Sequence, residues 1–179
     1  QYTNTDKVQK MRKVLYELLL SDHKQQCLSC SRNLTCELQA LGNTLGISES
    51  RFNNNKSHRK SEVTVSITRD MDKCILCRRC ISVCNEIQGV EILHAQNRGF
   101  DTEISVAQQM NMADSDCIYC GQCTLVCPVG ALMETDAISM VKQALNNPDI
   151  HTVVQDAPAV RVAIGEEFGY PRSEEHTSE

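Results

Sequence analysis

The chain has 179 residues, 41% hydrophobic and 23% charged, with a net charge of −5. That size and mix fit one globular domain or two small ones. The longest apolar runs, Cys74–Cys77 and Cys117–Cys120, are four residues. Runs this short exclude a transmembrane helix, and the acidic balance gives no general attraction to nucleic acid or an anionic membrane surface.

In chain order, Asp6–Leu20 reads as a helix. Val8, Met11, Leu15, Leu18 and Leu19 recur at helical spacing as one apolar face, and Thr5 or Asp6 suits the N-cap. A second helix is predicted over Leu34–Leu45, ended by Gly46. Ser48–Glu62 holds one large apolar residue, Phe52, and reads as an exposed connector. Val63–Ile67 alternates with Thr64 and Ser66 as a short strand. Residues 74–84 and 117–127 form an internal repeat offset by 43, each Cys-x-x-Cys-x-x-Cys-x-x-x-Cys. Two copies of one structural unit are expected, each followed by a short helix and then a strand, near Val90–His94 and near Met133. Asp136–Asn146 carries Ile138, Val141 and Leu145 at helical spacing and stops at Asn147-Pro148. His151–Gln155 reads as a short strand, and Ala159–Ile164 opens something new. The first residue is Gln rather than Met, and the last eight, Arg172–Glu179 (RSEEHTSE), resemble the translation of a common sequencing-library adaptor. A fragment is expected on both grounds, and 172–179 is set aside from the fold.

The chemistry lies in the cysteines. There are eleven, against four Tyr, three Phe and no Trp. A chain so short of large aromatics relies on metal or disulfides as well as on burial. An odd count, short regular gaps and no charged-then-apolar opening segment favour metal. Cys74, Cys77, Cys80 and Cys84, and then Cys117, Cys120, Cys123 and Cys127 followed by Pro128, match the bacterial dicluster ferredoxin ligand pattern. Three Cys at two-residue gaps wrap a cubane, and the fourth points away to the other cluster. Cys74, Cys77, Cys80 and Cys127 are therefore assigned to one 4Fe–4S cluster, and Cys117, Cys120, Cys123 and Cys84 to the other. Gly121 and Gly130 suit a backbone that passes close to the inorganic core. Zinc ribbons need pairs of Cys, not runs of four. Asn85, where the pattern has Pro, costs no ligand.

His23, Cys27, Cys30 and Cys36 make a third set of four. Alone it suits structural zinc as well as a cubane. Beside two cubanes a third redox centre is favoured, and eleven Cys plus His23 then complete three sets of four. A neutral imidazole in place of a thiolate makes that cluster less negative and easier to reduce. His58, His94, His151 and His176 read as surface or strand positions, and Arg78 and Arg79 as solvated surface rather than a docking patch. No glycine-rich nucleotide loop, Walker sequence or Ser/His/Asp set stands out, so electron relay is the visible function.

The strings LLLSDHKQQCLSC, DKCILCRRCISVCNEIQG, NRGFDT and CIYCGQCTLVCPVGAL, within Lys7–Leu132, resemble an electron-input module. That module is shared by FeFe hydrogenases, the large peripheral iron–sulfur chain of NADH:quinone oxidoreductase (the NADH-dehydrogenase-G-like type) and some NAD-linked formate dehydrogenases. Val153–Gly169 (VVQDAPAVRVAIGEEFG) resembles the opening of the FeFe hydrogenase catalytic domain. With the adaptor-like tail 172–179 set apart as a fifth part, the resemblance implies an α+β chain in four further parts: 1–46, a small helical His/Cys cluster domain; 47–66, a connector; 67–146, two ferredoxin-type motifs; and 147–171, the truncated start of an α/β catalytic domain. It also implies a cytoplasmic parent enzyme that interconverts protons and dihydrogen at a diiron site whose ligands lie beyond this sequence. An upstream 2Fe–2S domain, and an NAD(P)H-oxidising flavoprotein subunit or a ferredoxin as redox partner, complete the implied system. The alternatives are an iron–sulfur subunit of the respiratory or formate type, or a free-standing ferredoxin-like carrier.

Overall fold

The computed structural model describes residues 2–52, 56–155 and 157–169. They fall into two compact units, Gln1–Asp136 and Ala137–Glu179. The stretch 172–179 lies outside the described residues.

In the first unit, helix α1 spans Asp6–Asp22, and the Thr5 hydroxyl caps it by accepting the Val8 N–H at 3.4 Å. The helix is where the periodicity puts it, but the buried face is not. Met11, Leu15, Leu18 and Leu19 are 42–56% exposed, whereas Tyr16, Glu17, Leu20 and Ser21 are buried. Long-range partners select that face. The Tyr16 hydroxyl donates to the Leu38 carbonyl at 3.1 Å, and Glu17 accepts two bonds from Arg51 at 2.7 and 2.5 Å. Leu15, Leu18 and Leu19 instead line an open groove with Ile75, Leu76 and Phe100.

Helix α2 covers Glu37–Leu45 and closes on Gly46 at φ 68°, the left-handed cap a glycine supplies without strain. It starts three residues later than its sequence predicts. Leu34 is left-handed (φ 67°), and its N–H donates to the Asn33 and Gln39 side chains instead of entering a helix. Tyr16 packs on Gly42, where a Cβ would strike both the Tyr16 hydroxyl and, at 2.9 Å, the Ile47 carbonyl.

The predicted strand Val63–Ile67 is a hairpin turn. Strand β1 is Glu62–Val63 and β2 is Ile67–Arg69. Between them the Thr64 hydroxyl donates to the Ile67 carbonyl at 2.8 Å and accepts its N–H at 3.0 Å. Side-chain bonding of this kind competes with the ladder and turns the chain. Helix α3, Arg79–Ser82, runs into a π-helical turn at Val83–Ile87. Strand β3 (His94–Gln96) pairs antiparallel with β4 (Glu103–Ser105), joining His94 to Ser105 and Gln96 to Glu103. Helix α4 is Gln122–Val126, and β5 (Leu132–Glu134) pairs antiparallel with β2, setting Ile67 against Glu134 and Arg69 against Leu132. Each helix thus begins one residue before the third Cys of its block, rather than after the fourth; in the first block the π turn carries on past Cys84 to Ile87, and in the second the helix stops before Cys127. Pro128 blocks continuation after Cys127, and Gly89 (φ 65°) lies just past the π turn.

The core gathers Ile67, Met71, Leu93, Ile104, Met112 and Val129 with Cys80, Cys123 and Cys127. Ser57 and the Arg59 side chain are buried as well, so the connector is not a wholly solvated linker. In the second unit, helix α5 is Ile138–Asn146 and α6 is Pro158–Glu167, which contains Ala159–Ile164. His151–Gln155 is exposed irregular chain, not a strand. The architecture is α+β: short helices with two small antiparallel sheets.

Candidate metal centres

The repeat is visible in the backbone. Leu76 and Tyr119, equivalent residues of the two blocks, are left-handed at φ 56° and 52°, and so are Arg78 and Gly121 at 63° and 73°. Their N–H groups point alike: Leu76 donates to the Cys74 Sγ and Tyr119 to the Cys117 Sγ, both at 3.4 Å. A left-handed non-glycine residue costs roughly 1–2 kcal/mol. Three such residues in these two loops mark chain bent inward by something other than local preference.

The twelve candidate ligands fall around three cavities. Cys84, Cys117, Cys120 and Cys123 line the first. Cys74, Cys77, Cys80 and Cys127 line the second. His23, Cys27, Cys30 and Cys36 line the third. Cys84 therefore stands with the second block and Cys127 with the first. Among the described residues, no three His, Cys, Asp or Glu side chains converge on a point where one ion would bind them; the donors stand around voids.

Burial pushes the Cys80 thiol up to about 12, helped by its neighbours Cys74, Cys127 and Cys77. Burial with Cys117 and Cys120 nearby pushes Cys123 up to about 11. Burial also raises Cys74, opposed by the Leu76 N–H and the Arg59 guanidinium. These thiols are protonated without metal, and metal binding has to displace the protons. Cys77 and Cys120, again equivalent, are the two exposed cysteines.

His23 ends α1, is 8% exposed, and sets Nδ1 2.9 Å from the Lys73 carbonyl. A carbonyl only accepts, so Nδ1 carries the hydrogen and Nε2 keeps its lone pair. Burial lowers the His23 pKa, and Lys73 and Lys56 add to this against the Lys73 carbonyl and Asp70. Cys27 opens a 3₁₀ turn, Cys30 closes it, and Cys36 is the N-cap of α2. Gly130 belongs here too, which the sequence does not reveal: a Cβ on it would lie 2.7 Å from the Cys30 Sγ. Gly121, by contrast, has open space around it and serves its positive φ. Arg32 lines the same cavity, donates from Nη2 to the Thr124 carbonyl at 2.8 Å, and keeps a buried Nε–H with no protein partner. His94 takes a structural bond to the Glu91 carbonyl at 2.8 Å, and Arg79 pairs with Glu37 at 2.5 Å across exposed surface.

Cysteine and histidine donors grouped in fours, an unpartnered buried N–H and a close glycine approach fit iron–sulfur clusters. The protein is an iron–sulfur electron-transfer module of the kind found in hydrogenase and NADH-dehydrogenase complexes. Specifically, it carries the NADH-G-like module. Residues 12–51 match the NADH-ubiquinone oxidoreductase-G iron-sulfur binding region, and residues 64–133 match the ferredoxin-like domain of NADH-quinone oxidoreductase subunit 3. The NADP-reducing hydrogenase subunit HndD of Solidesulfovibrio fructosivorans is 48% identical over 168 residues, 93% of this chain and 29% of that protein. Iron hydrogenase 1 of Clostridium pasteurianum is 34% identical with the same coverage. The NADH-ubiquinone oxidoreductase 75 kDa subunit of Acanthamoeba castellanii is 36% identical over 132 residues, 73% of this chain and 19% of that protein. A crystal structure of NAD+-reducing [NiFe]-hydrogenase in the H2-reduced state superposes with a TM-score of 0.69 at 25% identity, over 75% of this chain and 58% of that one. The chain spans less than a third of the length of these curated relatives. No helix among the described residues is long and apolar enough to cross a membrane.

Proposed function

We propose that the chain is the electron-relay portion of an iron hydrogenase, built on three 4Fe–4S clusters. Their ligands are His23, Cys27, Cys30 and Cys36; Cys74, Cys77, Cys80 and Cys127; and Cys117, Cys120, Cys123 and Cys84. The observation that carries the proposal is the division of these twelve donors among three cavities, four to each. Donors that line a void suit four ligands on different irons better than four ligands about 2.0–2.3 Å from one zinc ion. When bound, the clusters supply one-electron storage. The protein's part is to hold their ligands, exclude water from two ferredoxin-type cores and fix the His23 tautomer through the Lys73 carbonyl.

In the full-length protein we place a downstream diiron site that interconverts protons and dihydrogen, an upstream 2Fe–2S domain, and an NAD(P)H-oxidising subunit or ferredoxin as redox partner. Eleven free cysteines suit the reducing cytoplasm. A match covering 93% of the chain necessarily runs past Asp136 into the second unit. The hydrogenase relatives have it, whereas the NADH-ubiquinone relative stops at 73%. That difference favours hydrogenase over the second reading, a NADH:quinone oxidoreductase subunit, which the two matched family regions support equally. The test is metal and sulfide analysis of anaerobically reconstituted chain. About twelve irons and twelve sulfides are expected, whereas about eight irons and one zinc would assign the His23 set to structural zinc.

A further inference from the structure

Arg59 lies between the two matched segments, in the connector. Its side chain is 5% exposed. Its backbone N–H donates to Asp72 at 2.9 Å, Nε to the Thr102 carbonyl at 3.1 Å, Nη1 to the Cys74 carbonyl at 3.3 Å, and Nη2 to Asp22 at 2.8 Å. Asp22 is held in turn by the Ser57 N–H and hydroxyl, both at 2.7 Å. A guanidinium does not lose its proton in a protein, and burying one is expensive unless its charge is used or paired. Here the partner carboxylate is 24% exposed, while the guanidinium is buried against the backbone of a candidate cluster ligand.

We infer that Arg59 and Asp22 together set the reduction potential of the cluster held by Cys74, Cys77, Cys80 and Cys127, with Arg59 stabilising its reduced state. This rests on the cluster reading above. The step is a one-electron reduction of that cluster by an external mediator. The mediator gives up one electron and the site gains one negative charge. A fixed positive charge beside the ligand favours the more negative state, and the Asp22 carboxylate opposes it. Arg59 is a positioning residue in the same geometry, tying Cys74 to Thr102 and Asp72.

The experiment is potentiometric EPR, with iron analysis, on anaerobically reconstituted full chain. The relevant signal is identified as the one altered by Cys77→Ser. Arg59→Gln should lower that potential, seen as a several-fold smaller reduced fraction at a fixed ambient potential; a tenfold change corresponds to 59 mV. Asp22→Asn should raise it, and Arg59→Lys should restore most of the wild-type value. Opposite shifts from two variants of one ion pair do not arise from a merely structural role. Full iron content with the potential unmoved, or moved the same way by both charge variants, overturns the inference alone. If Arg59→Gln does not fold, Asp22→Asn and Arg59→Lys carry the same test. A wild-type chain that takes up no iron overturns the cluster reading itself, and this inference with it.

Discussion

Replacing Gly130 with Ala tests the crossing between the His23 site and the ferredoxin-type loops. The added Cβ would stand 2.7 Å from the Cys30 Sγ, with Lys73 Cδ at 3.7 Å and Arg32 Cβ at 3.9 Å. Ordinary contact begins at about 3.5 Å, so either the sulfur or the loop after Cys127 has to yield by nearly an ångström. Gly130 has no positive φ, so none of the penalty is backbone strain. Overpacking of this kind costs about 1–3 kcal/mol. The Cys30 sulfur is a side-chain atom facing a void, so it moves before the backbone does and leaves its place in the set of four. Reconstituted Gly130→Ala should therefore lose about four irons of about twelve and keep both ferredoxin-type signals. Iron analysis and low-temperature EPR read this directly. A variant with full iron and three unchanged signals would refute the placement of Gly130 against Cys30.

Gly42→Ala should destabilise the first unit by about 1–3 kcal/mol, read as a lower denaturation midpoint, because its Cβ meets the Tyr16 hydroxyl and a backbone carbonyl. His23→Cys keeps four donors and adds one negative charge, so potentiometric EPR should show one cluster at lower potential with the iron content unchanged. Removing iron should abolish much of the ordered circular dichroism signal, since metal-binding free energy is folding free energy at such sites. An apo-protein with an unchanged cooperative transition would contradict this.

What was legible in the sequence is what depends on near neighbours. The Cys gaps of two and three residues, the Thr5 cap and the Gly46 stop are local chemistry, and the two caps reappear in the structure. What was not legible is set by distant partners. The apolar periodicity of α1 finds the helix but not its buried face, because Tyr16 is committed to Leu38 and Glu17 to Arg51, both more than twenty residues away. Thr64 reads as a strand residue until its hydroxyl is seen bonding Ile67. Arg59 and Ser57 look solvated in a polar connector, yet their burial follows from Asp22, on another element. Gly130, placed by its block near the ferredoxin-type cores, packs on Cys30, a hundred residues earlier.

The exchange of Cys84 and Cys127 between blocks has a mechanical consequence. Under the proposed ligation each arm of the repeat would reach across to close its sibling's cage, and the two halves would be clasped by metal as well as by peptide. Cleaving the chain within the β3–β4 hairpin, between Gln96 and Glu103, would leave two pieces that still hold each other. A lesion at Cys84 would injure the opposite block rather than its own. On that ligation neither block would be a self-sufficient part, and the two would stand or fail as a pair.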